Sequence, residues 1–342
     1  KVLGSSEVPT RYLSPGDTEI NAIDPSVKYD DDGSLWMTFG SWFGGLWALK
    51  LDASTGLRDY TTTYETAKDE TDQYYGIKIA GGHGNSGEGS YIMKQGDYWY
   101  LFVSYGALQQ QGGYQIREFR SKNITGPYVD EDGNNAVSTE TIGSNWTLKT
   151  GIRLMGSVEW SGNDNANIEV AQGHNSAFVD EDGTAYVVYH TRFSNRNEEH
   201  EVRVRELLTT ADGWLAAAPY EYTGVKANAK GYQESQLTGE YEFVVHDPTT
   251  FFQGSNGTAK DGKYPYKGVD EPITIKLESG GKVSGDKTGT WSFNKDSNQM
   301  TITIDGTEYQ GDFAQLPRET DLKSVMTFTA IGGNTCVWGS QV

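Results

Sequence analysis

Three stretches of the chain lie over one another without a gap, and that repetition limits its fold more than any other feature. They are Ile23-Asp24-Pro25-Ser26-Val27-Lys28-Tyr29, Gly87-Glu88-Gly89-Ser90-Tyr91-Ile92-Met93 and Gly173-His174-Asn175-Ser176-Ala177-Phe178-Val179. In each, the second residue is Asp, Glu or His, and a serine follows two positions later. A turn glycine comes next, at Gly33, Gly96 and Gly183, followed by an aromatic-rich segment: Leu35 to Ser41, Tyr98 to Ser104 and Ala185 to His190. The unit is a strand, a tight turn and a second strand. Another hairpin follows each unit, so the intervals from Asp24 to Glu88 and from Glu88 to His174 each hold four strands with loops. One such sheet cannot bury both faces alone, and a repeat of this length predicts blades stacked as a β-propeller.

Composition supports an all-β reading. The chain has 42 Gly against 9 Pro, with 21 Tyr and 9 Trp in short alternating runs. No segment of three or four turns carries apolar residues at helical spacing; the best candidate, Asp69 to Gly76, is short and polar. With 28 Lys and Arg against 47 Asp and Glu, the net charge of −19 repels phosphate, which excludes nucleic acid as a partner. No apolar run is long enough to span a membrane. The single Cys336 excludes an intramolecular disulfide and a Cys-based zinc cluster, and reads as a buried apolar residue. Asp30-Asp31-Asp32-Gly33 and Asp180-Glu181-Asp182-Gly183 lack the ligand spacing of a calcium loop and read as turns.

In a propeller the first strand of each blade lines the central channel, so the repeat brings Asp24, Glu88 and His174 toward one axis. Two carboxylates facing one cavity beside an imidazole suit general acid and base work on a glycosidic bond. A carboxyl crowded by a second negative group and partly desolvated resists ionisation, which keeps a proton available for the leaving oxygen. Ser41-Trp42-Phe43 and Ser104-Tyr105 follow the first two units and supply hydroxyls and stacking faces, making Trp42, Phe43 and Tyr105 candidate substrate contacts. Glu169, outside the repeat register, is the rival acid. Residues 131 to 170 form a long insertion containing Trp146 and Trp160, either at the channel mouth or as a surface cover.

At these residues the sequence resembles glycoside hydrolase family 43, in particular its 1,5-α-L-arabinanases with an extra C-terminal β domain. The matching strings are Asn21-Ala22-Ile23-Asp24-Pro25, Phe39-Gly40-Ser41-Trp42-Phe43-Gly44-Gly45, Glu88-Gly89-Ser90-Tyr91-Ile92, Arg120-Ser121-Lys122 with Gly126-Pro127-Tyr128, and Gly173-His174-Asn175-Ser176. They span residues 19 to 225, with a weaker likeness beyond. The resemblance implies a five-bladed propeller and hydrolysis of α-1,5-linked L-arabinan or arabino-oligosaccharides with inversion, in an extracellular or periplasmic setting. It also implies Glu88 as general acid, Asp24 as the carboxylate that raises the acid's pKa and orients it, and Asn21 and Ser41 as hydrogen-bonding partners of the arabinose. His174 matches an axial ligand of calcium or a similar hydrated cation.

The family pattern puts its general base on an earlier blade that this sequence does not display. About three blades are visible, and an open arc of three leaves sheet edges and faces uncovered. Lys1 to Asp17 reads as the end of a further blade. The expectation is that about 130 residues on a separate N-terminal fragment or chain complete the propeller and supply the base. The alternative is that a residue of this chain such as Asp17 or Asp247 substitutes for it. Two other functions stay open: a carbohydrate-binding propeller fragment without turnover, and a relative acting on xylosides. Residues 1–230 are read as the C-terminal part of the catalytic propeller and 231–342 as a small β-sandwich or barrel, with strands at Tyr241–His246, Ile273–Leu277, Thr288–Asn294, Met300–Ile304, Glu308–Phe313 and Ser324–Thr329.

Overall fold

A computed structural model describes residues 19–141, 149–162, 168–194, 196–228, 230–246 and 269–342. Trp146, Asp17 and Asp247 lie outside them. The described residues are all-β apart from one four-residue helix, α1 (Glu234–Leu237), and a single 3-10 turn. No helix among them is long and apolar enough to cross a membrane.

Each repeat opens one antiparallel sheet. The first contains β1 (Ser26–Tyr29), β2 (Leu35–Phe39), β3 (Leu46–Leu51), β4 (Thr71–Asp72) and β5 (Gly76–Ala80), with β5 beside β3 and β4 outermost. The second runs β6 (Glu88–Gln95), β7 (Tyr98–Tyr105), β8 (Gln115–Ser121) and β9 (Ile152–Arg153). The third runs β10 (Glu169–Val179), β11 (Ala185–Phe193), β12 (His200–Thr209) and β13 (Leu215–Ala217). Asp69 to Gly76 forms the edge strand β4 and a turn.

The acidic runs are turns, for a local reason. Asp32 Oδ1 accepts from the Ser34 amide at 2.8 Å and its hydroxyl at 2.6 Å, while Asp182 Oδ1 accepts from the Thr184 amide at 3.1 Å and hydroxyl at 2.7 Å. These side chains take up the backbone donors that a tight reversal leaves free.

The second sheet is covered on both faces. Leu46, Ala48 and Ile79 of the first sheet pack on Ile92, Trp99, Leu101, Val103 and Phe119. On the opposite side, Met93, Tyr100, Phe102 and Ile116 join Ala177, Val187, Tyr189 and Leu207 of the third sheet. This explains why seven of the eight β7 residues are buried, an arrangement that hides strict alternation from the sequence. The two outer sheets each keep apolar side chains exposed on the face away from the second sheet, although on the first Tyr75 packs against Phe39, Trp47 and Leu49. Val27 and Tyr29, 51% and 58% exposed, share the outer face of the first sheet with Met37 and Leu49. Phe178 and Val202, 45% and 69% exposed, lie on the far side of the third sheet from the shared core.

The remaining strands are β14 (Gly239–Val245), β15 (Ile273–Glu278), β16 (Lys282–Gly285), β17 (Gly289–Phe293), β18 (Gln299–Ile304), β19 (Thr307–Pro317), β20 (Ser324–Gly332) and β21 (Thr335–Gln341). They pair in sequence order, and β21 returns to β14 from Tyr241↔Gln341 to Val245↔Val337, closing an eight-strand barrel. The choice between sandwich and barrel turned on β16, which is short and polar, and on β21, neither of which stands out in the sequence. Tyr241, Phe243, Ile275, Leu277, Ile302, Phe313, Phe328 and Val337 fill the barrel. Its outer face packs on the second and third sheets through Ala314, Leu316, Ile331, Trp338 and the buried Cys336. Polar bonds cross the same boundary: the Ala217 carbonyl accepts from Trp338 Nε1 and Thr329 Oγ1, both at 2.8 Å, and the Tyr220 and Ser340 hydroxyls bond at 2.7 Å.

Asp312, paired with Thr329 across β19 and β20, is buried there and its Oδ2 has no hydrogen-bond partner. Burial pushes its carboxyl up to about 7. The folded chain therefore binds this proton more tightly than the unfolded chain, so its stabilising contribution is full below about pH 4 and is lost as pH rises through about 7. Asp312→Asn should leave the urea midpoint near the parent's at pH 4 and raise it at pH 8, by a few kcal/mol in unfolding free energy. Equal midpoints at pH 8 would refute this.

Candidate active site

Strand β6 packs between β1 and β10, and the three repeat residues meet at this junction. Asp24 stands two residues before β1, Glu88 is the first residue of β6, and His174 lies within β10 at the second of two shifts of register. His174 Nε2 is 3.6 Å from Asp24 Oδ1, and its Nδ1 is 4.0 Å from Glu88 Oε1. Asp24 Oδ2 accepts from the Gly89 amide at 3.3 Å, and Ser104 Oγ accepts from the His174 amide at 2.7 Å. Asp24 and His174 both take left-handed backbone angles, φ 56° and 47°. Such angles are costly for these residues and persist only where surrounding contacts fix them.

Glu88 is gripped at both oxygens. Tyr114 donates its hydroxyl to Oε1 at 2.6 Å, and Ser41 Oγ is 3.2 Å from Oε2. Burial, followed by the negative charge of Glu88, pushes the Tyr114 phenol far up, so it stays a donor and Oε1 stays an acceptor. A proton carried by Glu88 is thus directed to Oε2, on the Ser41 side. The Tyr114 ring is itself fixed: it stacks on His190 with centroids 5.7 Å apart, and a Cβ at Gly173 would fall 2.0 Å from the ring, so only glycine leaves it space. Burial and the neighbouring His174, His200 and Arg192 push His190 down to about 4, which keeps the stacked imidazole neutral near pH 7.

Ser41, Trp42 and Phe43 sit on a tight loop, where Trp42 and Phe43 have φ of 53° and 43°. The Trp42 amide donates to Gly87 O at 2.7 Å, the Gly45 amide to Trp42 O at 2.8 Å and the Gly84 amide to Phe43 O at 2.9 Å. The loop is therefore pinned to the residue before Glu88, with Phe43 turned to solvent and Trp42 half-buried. Asn21 is half-buried in the segment leading to Asp24. Beside these groups lies a cavity of about 370 Å³ lined by Asp24, Ser26, Val27, Gly89, Ser90, His174 and Asn175.

Two candidates sit elsewhere. Tyr105 is buried against Gly87 and Arg117 within the core between sheets one and two, so it offers no face to a ligand, contrary to the expectation for it. Glu169 is buried too, accepting from Tyr189 OH at 2.9 Å and pairing with Arg205 at 3.3 Å, which makes it part of a structural network. The residue that sequence reasoning missed is Tyr114. It lies before β8, outside the repeated strings, and only the folded packing of β6 against β10 brings it to Glu88.

The chain matches the family model described as glycosyl hydrolases family 43 over residues 2–215, and the model of the C-terminal lipocalin-like domain over residues 219–339. It is 36% identical over 331 residues to the extracellular endo-α-(1→5)-L-arabinanase 2 of Bacillus subtilis, covering 94% of this chain and 64% of that protein. It is likewise 36% identical over 352 residues to the extracellular endo-α-(1→5)-L-arabinanase of Thermotoga petrophila, covering 99% of this chain and 68% of that one. The crystal structure of endo-1,5-α-L-arabinanase from Thermotoga petrophila superimposes with a TM-score of 0.82 at 34% identity, over 96% of this chain and 69% of that chain. A family 43 glycoside hydrolase from Bacillus licheniformis gives 0.83 at 34% identity over the same shares. The chain thus spans about two thirds of the length of these relatives. With both domain models matched in order, and a closed eight-strand barrel where the second one falls, the chain belongs to glycosyl hydrolase family 43 and carries the C-terminal lipocalin-like domain.

Proposed function

We propose that the protein acts as an endo-1,5-α-L-arabinanase, with Glu88 as the proton donor to the departing sugar oxygen. The observation that carries this reading is the doubly held Glu88 carboxyl beside Asp24 and His174. The naming of both curated relatives as extracellular endo-arabinanases supports the substrate, the mode of cleavage and a location outside the cell. Asp24 orients the site through the Gly89 amide, while Ser41, Asn21, Trp42 and Phe43 border the sugar. Family 43 chemistry inverts the anomeric carbon, which needs a carboxylate base on the face opposite the acid.

No carboxylate other than Asp24 lines the axial cavity among the described residues. The base, and with it the completed propeller of five sheets, is proposed to come from sheets that cover the exposed faces at Val27 and Tyr29 and at Phe178 and Val202. Burying such side chains is worth about 1.5–3 kcal/mol each, which would hold a separate N-terminal fragment or chain in place. Saccharide binding without turnover by this chain, with turnover restored on adding the missing sheets, is the outcome this arrangement demands.

A hydrated calcium ion, or a similar hard cation, at His174 belongs to the same proposal. No group of three His, Cys, Asp or Glu side chains among the described residues is arranged to hold a metal. The cavity has room for an ion that keeps most of its water, with His174 giving one bond. When bound, it would supply positive charge next to the two carboxylates. Washing the active enzyme with a chelator should cut turnover several-fold and calcium should restore it; indifference to both would demote His174 to a hydrogen-bonding role.

The acid is tested by Glu88→Gln, which keeps shape but has no proton to give. Turnover of arabinan should fall on the order of 10² to 10⁴ with affinity kept, and the deficit should shrink for a nitrophenyl arabinoside, whose leaving group needs little protonation. A loss independent of leaving group would mean that the acid is another residue. Tyr114→Phe retains the stack on His190 and removes only the donor to Glu88. Turnover should drop by about 10-fold, the order of one lost hydrogen bond, with KM and thermal midpoint little changed.

A further inference from the structure

Behind the Ser41–Gly45 loop lies a cluster that the chemistry above does not use. Asp69, in the turn before β4, receives two partners on one oxygen: Lys78 Nζ at 2.9 Å and His83 Nε2 at 2.7 Å from Oδ1. The Lys78 side chain, on β5, is only 4% exposed. It threads between two loops, since a Cβ at Gly82 would lie 2.1 Å from its Nζ and one at Gly45 would lie 2.9 Å from its Cε. Its ammonium sits 5.9 Å from the centre of the Trp47 ring, whose Nε1 donates to Gly44 O at 3.2 Å. His83 comes from the other loop, at a left-handed φ of 57°. Next in chain is Gly84, whose amide holds Phe43 O, and three residues further is Gly87, whose carbonyl holds the Trp42 amide. Asp69 therefore ties, through one oxygen, the loop of His83 that supports Trp42 and Phe43 to Lys78 of β5, whose side chain passes between that loop and Gly45. Partial burial alone would push its carboxyl up, but the bonds from Lys78 and His83 hold it below the usual range, so it carries its charge near neutral pH.

We infer that Asp69 is a positioning residue: acting through Lys78 and His83, it fixes the strained Ser41–Gly45 loop and thereby sets how tightly the sugar units beside the cleaved bond are held. The consequence for sugar binding rests on the arabinanase reading; the anchoring of the loop does not. A left-handed pair such as Trp42 and Phe43 relaxes unless its surroundings over-determine it. Besides the bond from the Gly44 amide to Glu19 O, the loop's backbone bonds to other segments run to Gly84 and Gly87, in a segment whose own tie to the first sheet includes His83 and Lys78. A cavity of about 550 Å³ on the outer side of Asp69, lined among others by Lys68, Glu70, Thr125 and Asn135, lets water reach the position, so replacing Asp69 need not disturb the core.

The test is made on the full chain with Asp69→Ala, with Asp69→Asn as the conservative variant and Lys78→Met as an independent break that keeps the side-chain stem between Gly45 and Gly82. Hydrogen exchange read by mass spectrometry needs no substrate. The peptides holding the Trp42, Gly45 and Gly84 amides should exchange at least about 10-fold faster in Asp69→Ala and Lys78→Met, while those of β6 to β8 stay at the parent rate. Asp69→Asn, whose Oδ1 still accepts both bonds, should recover most of the protection. On arabino-oligosaccharides with the active enzyme, KM should rise by about 10-fold and kcat change less than about 3-fold, since the loop binds sugar and leaves proton transfer to Glu88. Unchanged exchange in the 41–45 and 84 peptides of both variants would overturn the inference. So would faster exchange spread evenly over β6 to β8, the mark of a general stability loss. Loosened loops in a protein whose parent form stays inert on arabinan even when completed by the added sheets would uphold the anchor and sink only the substrate reading.

Discussion

An antiparallel sheet with apolar side chains on both faces is stable only when both faces are covered, and the architecture follows from that requirement. The second sheet meets it fully, with the first sheet on one side and the third sheet and barrel on the other. Its position in the middle is also what makes the site. The start of β6 is pressed between β1 and β10, so Glu88 lies beside His174 while its neighbour Gly89 donates its amide to Asp24. The same packing that removes Leu101, Phe102 and Val103 from water carries the carboxyl into contact with its neighbours.

The barrel is fastened by a buried, partly ionic boundary. Arg205 is buried and reaches Tyr189 at 2.7 Å, Glu169 at 3.3 Å and Glu319 at 3.4 Å, while its guanidinium lies over the Trp338 ring at 5.1 Å. Burial opposes this charge, but Tyr189, Glu169 and Glu319 raise its pKa still further, so the guanidinium stays charged and paired. Such a network adds little net stability over apolar packing, yet losing one member would strand a buried charge. That asymmetry favours one docking angle of the barrel. Among the described residues, none of the barrel lines the axial cavity.

Around Glu88, local strain and local restraint go together. Asp24, Trp42, Phe43, His83 and His174 all have left-handed backbones, and each is tied down by a hydrogen bond, an ion pair or a neighbouring bonded amide from another strand or loop. The geometry is paid for by contacts outside the cavity, such as the stack of Tyr114 on His190 and the pairing of Asp69 with Lys78 and His83. Preorganised donors of this kind need not rearrange when charge moves in the reaction.

The sequence by itself determined the all-β class, the three opening strands and the residues at their heads, because a repeat fixes equivalent positions before any contact is known. Asp24, Glu88 and His174 were legible for that reason, as were the turns at Asp30 to Gly33 and Asp180 to Gly183, whose chemistry is local. Tertiary structure decided the rest. Tyr105 ends a strand covered on both faces, where alternation no longer tells inward from outward, and it went to the core. Tyr114 reached Glu88 across 26 positions of sequence, and Asp69 reached His83 across 14, through loop paths that no periodicity encodes. The barrel closed through β14 and β21, strands nearly a hundred residues apart, whose pairing depends on twist and curvature summed over six intervening strands. A sequence can specify which face a residue prefers; which partner waits there is set only when the sheets pack.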